Sequence, residues 1–115
     1  MARIRGETAT ARDHFREGLR QFARPDERQG VAVCLRMLGW VAWTEGRAEQ
    51  AARLYGAGEA LWPGAGAADE DEERVHTETA AALQERLGPA AYVAAYAAGA
   101  RLTLEEAVAE GLREG

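Results

Sequence analysis

Two histidines, one cysteine and several clustered carboxylates are the side chains in this sequence whose types and spacing could do chemistry. His14 follows Asp13 and precedes Glu17 by three residues, an acid–base set on paper. Adjacent residues on a helix do not face one another, so a solvated helix face is the better reading. His76, with Glu72 and Ala80 at i±4, supplies at most half a metal site, because zinc takes three or four ligands and the other histidine is remote in sequence. Cys34 sits among Val33, Leu35 and Leu38 with no cation nearer than Arg36, and without a cation to favour the thiolate we read it as a buried, inert thiol. Glu105 and Glu106 follow Thr103 as first-turn acidic residues of a helix rather than as paired catalytic carboxylates. There is no Gly-x-x-x-x-Gly-Lys-Ser/Thr loop to cradle phosphates. The sequence therefore leads us to expect no catalytic residues, no metal and no cofactor: not an enzyme, but a protein that acts by binding.

Composition narrows the binding partner. At 115 residues, 47% hydrophobic and 29% charged, the sequence fits one soluble globular domain over 1–115. The formal net charge is −5, and the basic residues, all arginine, form no block. Nucleic-acid binding needs clustered cations to displace phosphate counterions, so we expect no direct contact with nucleic acid. No apolar run approaches a membrane span, and Met-Ala-Arg-Ile-Arg-Gly-Glu lacks the apolar core of a secretory signal, so the expected location is the cytoplasm. A single cysteine excludes an internal disulfide.

Gly and Pro punctuate segments that otherwise read as helix, which predicts an all-α protein of about five to six helices. The first spans Glu7 to Ala23, with Ala11, Phe15, Leu19 and Phe22 on one stripe. A second runs from an Asp26 N-cap to Glu45, is apolar on nearly every side and so is expected to be buried all round; Gly46 ends it. Gly39, costly inside a helix, implies close approach of a neighbour. The third, Arg47 to Leu61, carries Ala48, Ala51, Ala52, Tyr55 and Ala60 on one side. Residues 62–68 read as a flexible loop. The acidic run 69–73 opens a fourth helix bearing Val75, Thr79, Leu83 and Leu87, which Gly88-Pro89 ends. A short fifth helix from Pro89 to Ala98, closed by Gly99, precedes a terminal helix opened by the capping box Thr103-Leu104-Glu105-Glu106; together these form capping helices over 89–114.

Ala11-x-x-x-Phe15-x-x-Gly18 returns 40 residues later as Ala51-x-x-x-Tyr55-x-x-Gly58. With Leu38-Gly39 before the second copy and Pro63 after it, this pattern resembles the tetratricopeptide repeat, a helix-turn-helix unit that stacks into hairpins. A longer stretch, Tyr92-x-x-Ala95-Tyr96-x-x-Gly99-x-x-Leu102-Thr103-Leu104-Glu105-Glu106-Ala107-Val108, is similar to the end of the repeat region in large ATP-binding transcriptional regulators of the LuxR type. Leu38-Gly39-Trp40-Val41-Ala42, Gly46, Ala51-Ala52-Arg53-Leu54-Tyr55-Gly56-Ala57 and Glu59-Ala60-Leu61 extend the similarity over most of the chain. The pattern departs from the repeat at Leu35, Ala42 and Gly58.

The resemblance implies a protein–protein interaction module that binds through the inner face of the first helix of each pair. Counting from Leu35 and Leu38-Gly39 places Arg36, Trp40 and Trp43 on that face as partner-binding residues for a peptide or helix. The competing reading packs both tryptophans beneath the fourth helix. Because the resemblance makes the first helix the second of a pair, its flank is expected to lack cover, which suggests a homodimer. The same resemblance leaves open a small-molecule effector site beside Trp40, Trp43 and Tyr55, and a purely structural repeat fragment.

Overall fold

The computed structural model describes residues 2–22, 27–62 and 70–113, with side chains for all of these except 2–8, 22 and 72. Among them are six helices: α1 (Ala2–Phe22), α2 (Arg28–Thr44), α3 (Ala48–Leu61), α4 (Glu70–Leu87), α5 (Pro89–Ala100) and α6 (Leu104–Leu112). The fold is all-α. The Asp26 cap and the loop expected at 62–68 fall, Trp62 apart, outside the described residues, and Glu27 stands at the α2 N-cap without a side-chain bond.

Local chemistry sets most of the boundaries. At the end of α2, Gly46 takes φ +83°, which lets its N–H reach Trp43 O at 3.0 Å and Arg47 N–H reach Ala42 O at 2.8 Å. These are the paired bonds that close a helix on a left-handed residue and turn the chain directly into α3. Gly88, at φ +86°, separates α4 from α5, and Pro89 occupies the first turn of α5, where its missing N–H has no partner to lose. The α6 capping box is complete: Thr103 Oγ accepts from Glu106 N at 3.1 Å, and Glu106 Oε1 accepts from Thr103 N at 2.9 Å. Thr103→Ala is expected to lower stability by about 1 kcal/mol, read from the shift of a urea transition at unchanged slope.

The α2/α3 hairpin is the centre of the molecule. α1 packs on α2, α5 packs on α3, α6 touches α1, α2 and α3, and α4 rests on α2, α3 and α5. Leu19, Val31, Leu35, Leu38, Leu54, Leu83 and Ala107 form one continuous apolar core from five of these helices. The glycines of the 40-residue repeat both abut α2. A Cβ on Gly18 would lie 2.9 Å from Cys34 Sγ, and one on Gly58 would lie 3.1 Å from Ala32 O. Gly39 meets Tyr55 and the Ala51 carbonyl in the same way, as its cost inside a helix implied.

Four expectations are corrected. α1 begins earlier than Glu7, at Ala2. Its flank is covered in part: Leu19 is fully buried and sits where a Cβ on Gly111 of α6 would meet its Cδ1 at 2.4 Å, while Phe15 is only half-buried. α3 buries more than one side, because α5 takes the face opposite α2; Gln50, Leu54, Gly56 and Ala57 are buried, while Ala60 is exposed. Finally, Gly99 does not close α5. The helix continues to Ala100, and Gly99 is buried inside it where a Cβ would lie 1.9 Å from Arg53 O of α3.

Polar ties fix α6 in place. Arg53 Nε donates to Glu110 Oε1 at 2.7 Å, and Arg16 Nη2 donates to Arg113 O at 2.8 Å. Arg12 Nη1 donates to Glu45 Oε2 at 2.8 Å, tying α1 to the α2–α3 turn.

Candidate functional site

α2 is not buried all round. Its faces toward α1 and α3 are covered, but Val33, Met37 and Trp40 are only half-buried. Their spacing of four and then three residues puts them on one line along the helix. Among the described residues, α4, which packs lightly on α2, leaves this line open. Phe15 of α1 and Val75 and His76 of α4 complete a cavity of about 530 Å³, with Asp71 the only charged lining residue among those described. Val75 is 40% exposed there. A neighbouring cavity of about 770 Å³ between α1 and α2 shares Phe15 and Val33 with it and carries Glu17 and Glu27 at its edge.

On the far side of His76 the character changes. A cleft of about 180 Å³ is lined by Arg36 of α2, Tyr55 and Glu59 of α3, Glu73 and His76 of α4, and Tyr92 and Tyr96 of α5, among others. Tyr55 Oη and His76 Nδ1 are hydrogen-bonded at 2.9 Å, and their rings meet edge to face at 5.4 Å and 75°. Burial holds His76 neutral, lowering its pKa to about 4, and the nearby Arg36 charge acts in the same direction. Burial also raises the Tyr55 hydroxyl well above the ordinary tyrosine range. Arg36 Nη2 donates to Glu73 Oε2 at 3.4 Å.

The three residues expected to share a binding face therefore part company. Trp40 lines the apolar cavity, Arg36 lines the polar cleft, and Trp43 packs partly buried against the core and lines neither. Phe15, Val33, Met37 and Val75 take the places beside Trp40 that Arg36 and Trp43 were expected to hold. The signal for Val33, Met37 and Trp40 was present in the sequence as an i, i+4, i+7 apolar row on α2, but an all-apolar helix gave no reason to pick one row over another. The Tyr55–His76 pair joins residues 21 apart, which no local pattern reveals.

The other candidate chemistry is dispersed. His14 is exposed and stacks edge to face on Phe15 at 5.1 Å, while Glu17 pairs with Arg20 at 3.3 Å. Cys34 is buried, and burial pushes its thiol pKa up, away from the reactive thiolate. Glu106 is occupied by its cap. Among the described residues no three His, Cys, Asp or Glu side chains gather as a metal site, and no helix is long and apolar enough to cross a membrane. The chain matches no protein-family model, no curated protein and no solved structure.

Proposed function

We propose that this chain is a non-catalytic helical module that associates with another protein through the groove left open on α2. The observation that carries this reading is the half-buried row Val33, Met37 and Trp40 facing Phe15 and Val75 across about 530 Å³. Five apolar side chains in one concavity favour an apolar occupant over water. A row at i, i+4 and i+7 complements the face of an amphipathic helix laid into the groove, with Trp40 as the aromatic anchor.

The resemblance of Leu38-Gly39, Ala51, Tyr55 and Pro63 to the tetratricopeptide repeat, and of 92–108 to the repeat region of LuxR-type regulators, supports the same reading. A cytoplasmic location and the absence of direct nucleic-acid binding go with it. A second copy of the chain is one candidate occupant, which light scattering over a hundredfold dilution tests directly. Burial holds the Cys34 thiol protonated, away from the nucleophilic thiolate, which agrees with the non-catalytic part of the reading.

A library of helical peptides selected on the wild-type chain and counter-selected on Trp40→Ala tests the groove. The expected result is a set of peptides with an apolar face that lose at least about 30-fold in affinity on the variant, the effect of an anchor worth about 2 kcal/mol. Circular dichroism should show the variant folded. Recovery of only Trp40-independent binders sinks the proposal.

A further inference from the structure

Arg36, Tyr55 and His76 come from three different helices, yet each is more than nine-tenths buried, at 8%, 7% and 4% exposure, and all three open onto the cleft behind the groove. Tyr92 and Tyr96 form its wall, with ring centroids 5.8 Å apart and planes tilted by 38°. Glu59 and Glu73 stand exposed at its edge. Among the described residues, the charged groups lining the cleft are thus one guanidinium at the back and two carboxylates at the mouth. The tyrosines and His76 add polar atoms without charge, since burial raises all three phenol pKa values and lowers that of the imidazole.

We propose that this cleft binds a small zwitterion of amino-acid size, its carboxylate against Arg36 and its ammonium group between Glu59 and the faces of Tyr92 and Tyr96. Charge excludes the simpler ligands. A plain anion has to pass two carboxylates, and a plain cation meets Arg36. A ligand with both charges answers both ends of the cleft. Among the described residues the Arg36 guanidinium donates one hydrogen bond, the long one to Glu73 at 3.4 Å, out of the five N–H groups a guanidinium carries. Guanidinium and carboxylate match in a planar, two-bond arrangement, and ammonium groups are held by aromatic faces beside a carboxylate. A volume of about 180 Å³ admits a free amino acid and little more. The site is separate from the association groove. His76 is a wall of both, but Phe15, Met37 and Trp40 line the groove and not the cleft.

Calorimetric titration with L-phenylalanine, phenethylamine and 3-phenylpropanoate separates the charges on one ring, and glycine and L-leucine vary the side chain. The expected result is saturable binding of at least one of the three amino acids. If L-phenylalanine is that ligand, removing either its carboxylate or its amine weakens binding by at least about tenfold. Arg36→Met and Glu59→Gln should each lose tenfold or more. Glu73 is half-exposed, so Arg36→Met strands no buried charge, and Glu59→Gln is a surface change that decides the matter should the first variant fail to fold. Silence toward all three amino acids at millimolar concentration overturns the proposal. So does equal binding of the three phenyl compounds, or zwitterion binding that survives Glu59→Gln and Arg36→Met unchanged.

Discussion

Gly99→Ala is expected to destabilise the protein by about 3 kcal/mol, lowering the thermal midpoint by about 10 °C, although alanine is the better helix former. Replacing glycine inside a helix ordinarily gains about 1 kcal/mol. Here the added methyl would lie 1.9 Å from Arg53 O and 2.7 Å from Arg53 C, both backbone atoms of α3. No rotamer relieves that contact, so α5 must move away from α3. The opposing surface is built to the same tolerance: a Cβ on Gly56 of α3 would lie 2.0 Å from Tyr96 O of α5. The two helices therefore approach through reciprocal glycines, and each methyl would separate their backbones. The effect exceeds the propensity gain because the whole α3–α5 seam loses contact, including that of Tyr92 and Tyr96 with the core. Thermal unfolding by circular dichroism reads the result. A midpoint equal to or above wild type would show that the seam is looser than described.

Acidification should expose His76. In the folded chain its pKa is lowered from 6.5 to about 4, first by burial and then by the Arg36 charge, with Glu73 opposing. Tyr55 of α3 contacts it, Arg36 stands on α2, Glu73 on its own helix, and Tyr92 and Tyr96 face the same cleft from α5. In the window between 6.5 and 4 the unfolded chain takes a proton that the folded chain does not. Stability due to this group is therefore complete above 6.5, falls as pH drops through the window, and levels off below 4. The loss amounts to about 3 kcal/mol across the 2.5 units. His76→Gln removes the titration and keeps a hydrogen-bonding partner for Tyr55. The variant is expected to lose about 3 kcal/mol less than wild type between about pH 7 and 4 in urea titrations, because the other acidic groups contribute equally to both. Parallel curves for the two proteins would assign the acid sensitivity elsewhere.

Both results depend on contacts that the sequence only partly announced. Gly39 and Gly99 are both glycines within helical stretches. Gly39 is legible as a contact residue because apolar side chains continue on both sides of it, so a helix end was not credible there. Gly99 is followed by Ala100, Arg101 and Leu102 before the Thr103 cap, and a glycine shortly before a new cap reads equally well as a terminator. Only the nearness of Arg53, 46 positions back in the chain, distinguishes the two roles. The same holds for α2. Its composition announced burial, but which row stays open was decided by how lightly α4 rests on it.

What the sequence determined by itself is the set of things governed within one or two helical turns. The all-α class, the turn at Gly46, the break at Gly88-Pro89, the Thr103–Glu106 cap and the burial of Cys34 and the α2/α3 hairpin all follow from propensity, periodicity and capping chemistry. What the tertiary structure decided is which surfaces meet. Arg36, Tyr55, His76, Tyr92 and Tyr96 are spread over four helices and share a cleft because Gly56 and Gly99 let α3 and α5 approach and α4 closes the remaining side. The physical reason is one of range: caps and turns are set by hydrogen bonds between near neighbours in the chain, whereas the groove and the cleft are set by distances between helix axes, fixed only when every face has found its neighbour.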